Sequence, residues 1–172
     1  MNETSIRCEM TGDHAAICSI VYAAFLNHPQ HAPGSLPTEH KIVDCLRKAG
    51  VLTLSLVCEY QGEIVGHIAF SPVLINGEMS GWYGIGPVAV RPDLQRDGIG
   101  SSLIREGIRQ MGEKGAAGIV LVGDPDFYVR FCFKSMPELT LDDVPEKYFL
   151  CLPITDSVPS GKVTFHEAFG VS

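Results

Sequence analysis

Residues 88–103 read Val-Ala-Val-Arg-Pro-Asp-Leu-Gln-Arg-Asp-Gly-Ile-Gly-Ser-Ser-Leu, and their types and order describe a place where an anion can bind. Val88 and Val90 are β-branched and read as the end of a strand, which Pro92 and Asp93 stop. Gln95 to Gly100 form a short polar turn carrying two glycines, after which Ile99, Leu103, Ile104, Ile108 and Met111 recur at helical spacing. The first N–H groups of a helix have no intrahelical acceptor, and the helix dipole favours negative charge at the same end. Gly98 and Gly100 lack Cβ atoms, so a phosphate can approach the backbone closely. The chemistry this arrangement serves is the binding of a phosphorylated ligand.

Two common phosphate motifs are excluded. A Walker loop needs Gly-Lys-Ser/Thr at the helix start, whereas Gly100 is followed by Ser101-Ser102. The dinucleotide fingerprint Gly-x-Gly-x-x-Gly fails because Leu103 stands where its third glycine belongs. What is left, Gln95-Arg96-x-Gly98-x-Gly100 after a Val-Ala-Val-x-Pro strand, resembles the Gln/Arg-x-x-Gly-x-Gly/Ala signature of the GCN5-related N-acetyltransferase (GNAT) superfamily. The phrases Gly66-His-Ile-Ala-Phe-Ser71, Gly81-Trp-Tyr-Gly-Ile-Gly-Pro-Val88 and Gly123-Asp-Pro125 are similar to a bacterial subgroup labelled predicted N-acetyltransferases.

The resemblance implies acetyl-CoA as co-substrate, its pyrophosphate held by the N–H groups of Gln95, Arg96, Asp97, Gly98, Ile99, Gly100 and Ser101. It implies that the backbone of Val88, Ala89 and Val90 pairs with pantetheine like an added strand and polarises the thioester carbonyl. In Gly123-Asp-Pro-Asp-Phe-Tyr128-Val-Arg-Phe-Cys-Phe133, Tyr128 matches the family's tyrosine four residues before a Gly-Phe pair, here Cys132-Phe133. By that match Tyr128 is the general acid, since an ordinary phenol is protonated at neutral pH and can protonate a leaving thiolate. By helical spacing alone Tyr128 simply packs with Phe127 and Phe131. Asp97 departs from what a phosphate site wants, and its side chain is expected to point away from the turn. The general base stays open among Glu59, His67 and Glu78; the first two helices border the acceptor pocket in this family, which would bring Glu39 and the His28/His31 loop to it.

The elements that must position these residues follow from periodicity. Ile6 to Glu9 reads as a strand; Thr11-Gly-Asp13 opens a helix with Ile17, Ile20, Val21, Ala24 and Phe25 on one face. Asn27 to Pro37 reads as a loop, and Thr38 is placed to cap a helix carrying Ile42, Val43 and Leu46 that stops at Gly50. Leu52, Leu54 and Leu56 alternate with polar residues, Gln61-Gly62 turns, Glu63 to Val73 is a strand, and Asn76-Gly77 turns into Gly81 to Val90. After the central helix, Gly118 to Val122 reads as a buried parallel-type strand. A helix from Asp126 to Phe133 and strands Tyr148 to Leu152 and Val163 to Phe169 follow. The order β-α-α-β-β-β-α-β-α-β-β predicts an α/β fold with a central mixed sheet flanked by helices. It is also the GNAT order, in which the fourth and fifth strands splay around the cofactor.

With 172 residues the chain has room for one domain, 1–172, that buries roughly 70% of its unfolded surface. Its 45% hydrophobic and 19% charged residues are globular rather than disordered composition. A net charge of −7 argues against nucleic acid as a partner and mildly favours a cationic amine. No apolar run spans a bilayer, and the start Met-Asn-Glu-Thr lacks the features of a signal peptide. Cys8, Cys18, Cys45, Cys58, Cys132 and Cys151 show no Cys-x-x-Cys spacing, so reduced thiols in a cytoplasmic protein without a metal are expected. The resulting expectation is an N-acetyltransferase for a primary amine, small molecule or peptide, by direct attack. The competing expectation is a non-catalytic acyl-CoA sensor, kept open by Asp97 and Cys132. Family members are often homodimers.

Overall fold

Strands that are buried on both faces need helices on both sides, and Leu54–Tyr60 and Glu63–Ile75 are buried along most of their length. The computed structural model describes residues 3–26, 28 and 31–170. In chain order the elements are β1 (Thr4–Cys8), α1 (His14–Phe25), α2 (Glu39–Lys48), β2 (Leu54–Tyr60), β3 (Glu63–Ile75), β4 (Glu78–Val90), α3 (Ile99–Glu113), β5 (Gly118–Val122), α4 (Pro125–Tyr128), β6 (Leu139–Thr140), β7 (Phe149–Pro153) and β8 (Gly161–Thr164). Among the described residues the sheet runs β1-β2-β3-β4-β5-β7, with β8 pairing β3 and β6. The predicted mixed α/β architecture is therefore present. Of the predicted 27–37 loop, Asn27, Pro29 and Gln30 lie outside the described residues.

The two Gly-containing turns behave as their sequences require. Gln61 and Gly62 have φ of 53° and 77°, and Asn76 and Gly77 have 52° and 80°, the positive values of a tight hairpin turn. Two expectations at the C-terminal end are corrected. The Asp126–Phe133 helix is only Pro125–Tyr128 followed by one 3-10 turn, Val129–Phe131. It ends because Cys132 adopts a left-handed φ of 71°. The strand drawn from Val163 to Phe169 is Gly161–Thr164, and a 3-10 turn occupies Glu167–Gly170. Phe165 leaves the ladder to lie against Gly84, and Phe169 packs with Ile42 and Leu46 of α2. The alternation of Val163, Phe165 and Phe169 reflects aromatic packing rather than strand pairing. The two-residue strand β6, which pairs β8 in parallel, carries too little pattern to be read from sequence.

The sheet opens at one place. β4 and β5 run parallel and pair through Trp82–Gly118, Tyr83–Ile119 and Gly84–Val120; β5 then continues with β7 as far as Val122–Phe149, while β4 turns away. The cause lies in β4. Ile68 pairs with Val88 and Phe70 with Ile85, so Gly86 and Pro87 together oppose the single residue Ala69. Such a bulge bends its strand, and Pro87 has no N–H to offer a neighbour. The main chain from Ile85 to Val90 is thus free of β5.

Helices cover both faces. α3 sets Ile99, Leu103, Ile104 and Met111 on Leu56, Ile68 and Phe70, with α4 beside it. On the other face α1 and α2 bring Ile17, Ile20, Val21 and Val43 to Val57 and Ala89. That second face also holds a polar chain. His67, fully buried, lies with Nε2 2.8 Å from Ser55 Oγ. Ser55 Oγ donates to Glu9, and Arg47 grips Glu9 through Nε and Nη2 at 3.0 Å each. The single hydroxyl proton is committed to Glu9, so His67 Nε2–H must be the donor to Ser55. His67 Nδ1 is then a buried acceptor without a partner among the described residues.

Burial pushes His67 down from 6.5 to about 4, Arg47 adding to the effect and the Glu9 carboxylate opposing it. The unfolded chain protonates this ring near 6.5 and the folded one does not, so stability falls as pH drops from about 6.5 to 4. The loss is expected to reach about 2 kcal/mol by pH 5. Urea unfolding of the wild type at pH 7 and pH 5 should show it, and His67→Gln should lack most of that pH dependence.

Candidate active site

The turn after β4 is shaped by alternating backbone hands. Arg96 has φ of 70° and Gly98 of 86°, and a Cβ on Gly98 would meet nothing within 4 Å, so its outer side faces open space. Gln95 Nε2 donates to the Val90 carbonyl at 3.1 Å, folding the turn back onto the end of β4. The first helical bond of α3 is Ser102 N–H to Gly98 O, 3.0 Å. The N–H groups from Gln95 to Ser101 have no backbone acceptor among the described residues, and Gly98 provides no side-chain cap. Arg91 is occupied, its Nε 2.7 Å from Asp93 and its Nη1 3.0 Å from Glu63. Arg96 makes no ion pair among the described residues.

A cleft of about 460 Å³ lies over this turn, bordered by Val88, Val90, Gln95, Arg96, Gly98, Gly100, Ser101 and Tyr128 together with Phe25, His28, Phe127 and Arg130. It adjoins a second cleft of about 420 Å³ in the gap between β4 and β5, lined by Ile85, Pro87, Val88, Leu121, Val122, Asp124 and again by Phe25, His28 and Tyr128. Three of the residues picked from sequence do not put side chains in either cleft. Ala89 alternates onto the α1/α2 face, Ile99 packs in the core, and Asp97 borders a separate depression with Thr4 and Tyr60. The sequence does not mark Phe25, His28, Phe127 or Arg130 as site residues. His28 was noted only through its loop, and Arg130, whose Nε bonds the Phe127 carbonyl at 2.8 Å under a guanidinium 4.6 Å over the Phe127 ring, looks in sequence like any solvated helix cation.

Tyr128 is positioned by its neighbours. Its ring sits edge-on to Phe127 at 5.0 Å and Phe133 at 6.0 Å, so it packs as helical spacing predicts and still faces both clefts. A Cβ on Gly123 would lie 2.5 Å from Tyr128 Cε2; only glycine leaves the ring its place. Its hydroxyl bonds no protein group among the described residues, and burial pushes the phenol up to about 12, so it stays protonated. Cys132 is exposed and lines neither cleft; it fills a left-handed position natural to the glycine of the Gly-Phe pair. The base candidates read from sequence stand elsewhere. Glu59 is bound by Arg7 at 2.6 Å, Glu78 starts β4 in the exposed hairpin, and His67 is sealed in the sheet's other face. Among the described residues no three His, Cys, Asp or Glu side chains gather as a metal site, and no helix is long and apolar enough to cross a membrane.

A splayed parallel pair, a glycine turn with free donors and a tyrosine facing the gap are the arrangement of an acetyltransferase. The profile of the Acetyltransferase (GNAT) family matches residues 14–136, and the chain belongs to that family. A GNAT family acetyltransferase from Brucella melitensis, solved with acetyl-CoA, is 45% identical with a TM-score of 0.85 over 98% of this chain and 99% of its own. YhbS from Escherichia coli, solved with CoA, is 31% identical with a TM-score of 0.89 over 99% and 94%. In sequence, YhbS of E. coli K12, an uncharacterised N-acetyltransferase, is 41% identical over 97 residues, 56% of this chain and 58% of YhbS. The aligned stretch thus spans little more than half of that relative.

Gly123→Ala is expected to push the Tyr128 ring out of its place, lowering the rate of CoA release from acetyl-CoA by about 10- to 100-fold. Calorimetry with acetyl-CoA should show affinity changed far less, because the turn from Gln95 to Ser101 that borders the cleft over α3 does not touch Gly123.

Proposed function

We propose that residues 1–172 form a single catalytic domain that transfers the acetyl group of acetyl-CoA to a primary amine, on a small molecule or peptide, by direct attack. The observation that carries this reading is the parting of β4 and β5 after Gly84 and Val120. It sets free main chain, unpaired α3 donors and Tyr128 around one continuous space. The fit to the acyl donor is chemical. Seven N–H groups from Gln95 to Ser101, with Arg96 and Arg130 at the rim, suit a pyrophosphate. The edge of β4 at Val88 and Val90 suits an extended amide chain that can add to a strand.

Each residue has a defined task. Backbone N–H groups of β4 hydrogen-bond the thioester oxygen and stabilise the negative charge it gains as nitrogen attacks. Tyr128 donates its proton to the departing sulfur; its raised pKa keeps that proton in place until negative charge develops beside it. The competing reading of an acyl-CoA sensor rested on Asp97 and Cys132, and neither side chain enters the clefts.

Calorimetric titration with acetyl-CoA tests the donor site. Gly98→Trp fills the open space above the turn and is expected to cut affinity at least ~100-fold, by steric exclusion and by straining a left-handed φ. A panel of primary amines, read by CoA release, tests the transfer. Tyr128→Phe should lower kcat on the order of 100-fold and leave acetyl-CoA affinity within about threefold of wild type. An unchanged kcat in that variant would remove Tyr128 from the acid role.

A further inference from the structure

A primary amine reaches the site as an ammonium ion, and something there must take a proton from it before nitrogen can attack. We infer that His28 is this general base, an assignment that rests on the amine-acceptor reading above. The gap between β4 and β5 opens through the sheet, so groups from opposite faces border one space. Tyr128 comes from the α3/α4 face, and Phe25 and His28 come from the end of α1 on the other. His28 and Tyr128 line both clefts, which puts proton acceptor and proton donor on opposite sides of the place where the acyl group must lie.

The other ionisable groups along the two clefts are poorer candidates. Arg96 and Arg130 are permanent cations, and Tyr128 is held protonated. Asp124 is the remaining acceptor; it caps α4, its Oδ1 accepting from the Asp126 N–H at 3.0 Å, so it belongs to the element that carries Tyr128 and not to the opposite side of the gap. His28 is also held in place. Its N–H donates to the Phe25 carbonyl at 3.2 Å and its carbonyl accepts from His31 N–H at 2.9 Å. Its ring is 5.3 Å from that of Phe25 and 5.7 Å from that of His31. His31 in turn lies parallel to Phe25, 23° between planes, with Nε2 2.8 Å from Glu39 Oε2. Glu39, at the first turn of α2, thus fixes His31, and His31 backs the ring of His28 as a positioning residue.

The protons balance. A ring nitrogen of His28 accepts one proton from the ammonium and later releases it to solvent. The freed amine forms the C–N bond as the C–S bond breaks, sulfur leaves with the Tyr128 proton, and the second nitrogen proton restores the phenol. Imidazole suits the first step because the neutral ring carries one nitrogen lone pair that can accept a proton. Apart from His28, Tyr128 and Asp124, the second cleft is walled by apolar residues, Phe25, Ile85, Pro87, Leu121 and Val122, so an amine on an apolar arm is the fitting probe.

The test compares phenethylamine, an ammonium ion at pH 7, with O-methylhydroxylamine, whose nitrogen is already neutral there. His28→Gln and His28→Asn are expected to lower kcat/KM for phenethylamine on the order of 100-fold and for O-methylhydroxylamine less than about fivefold. Acetyl-CoA affinity by calorimetry should stay within about threefold of wild type. Equal losses for the two amines, no loss for either, or a loss of acetyl-CoA affinity in both variants would overturn the assignment. A wild type that binds acetyl-CoA and acetylates neither amine would instead overturn the amine-acceptor reading, and the base with it.

Discussion

Two parallel strands that stay hydrogen-bonded leave no free main chain between them. Here β4 and β5 pair for three residues and then diverge, because β4 carries an extra residue at Gly86-Pro87 while β5 remains zipped to β7. The divergence exposes peptide groups inside the protein without burying them unpaired, since a ligand or water can reach them. It also lets a residue on α4 and a residue after α1 border the same volume, which an unbroken sheet would keep apart.

The rest of the chain can be read as support for that opening. α3 locks to β2 and β3 through an apolar seam, so its N-terminal donors are held rigid against the end of β4. On the reverse face the cover is partly polar, Arg47, Glu9, Ser55 and His67 linking α2, the residue after β1, β2 and β3 in one chain of hydrogen bonds. A polar chain demands particular partners where an apolar contact accepts many. The α1/α2 layer, whose outer end carries Phe25 and His28, is therefore fixed in register as well as pressed against the sheet.

Much of this was legible in the residues. Val88 to Ser101 announce a strand, a turn and a helix start through β-branching, Pro92, Gly98 and Gly100, all local signals. Asn76-Gly77 and Gln61-Gly62 are equally local. Tyr128 was found by resemblance, since its spacing equally suits packing against Phe127, and the structure shows it doing that while facing the cleft. What stayed hidden depends on distant contacts. No local pattern says that Phe165 rests on Gly84 or that His28 and Tyr128 border the same gap. Cys132 is an intermediate case. Its left-handed φ explains why a glycine suits that position, and its exposure explains why a cysteine is tolerated there.

The charge distribution has a kinetic consequence. The chain carries −7 overall, yet the mouth of the first cleft presents Arg96 and Arg130 and a fan of N–H dipoles. A polyanion approaching from afar meets net repulsion, and close in it meets attraction. Added salt, with a screening length of about 8 Å at physiological strength, shortens the reach of the first field more than that of the second, which acts at contact distance. Ionic strength therefore governs how often the cleft is visited by an anion more than how firmly it holds one.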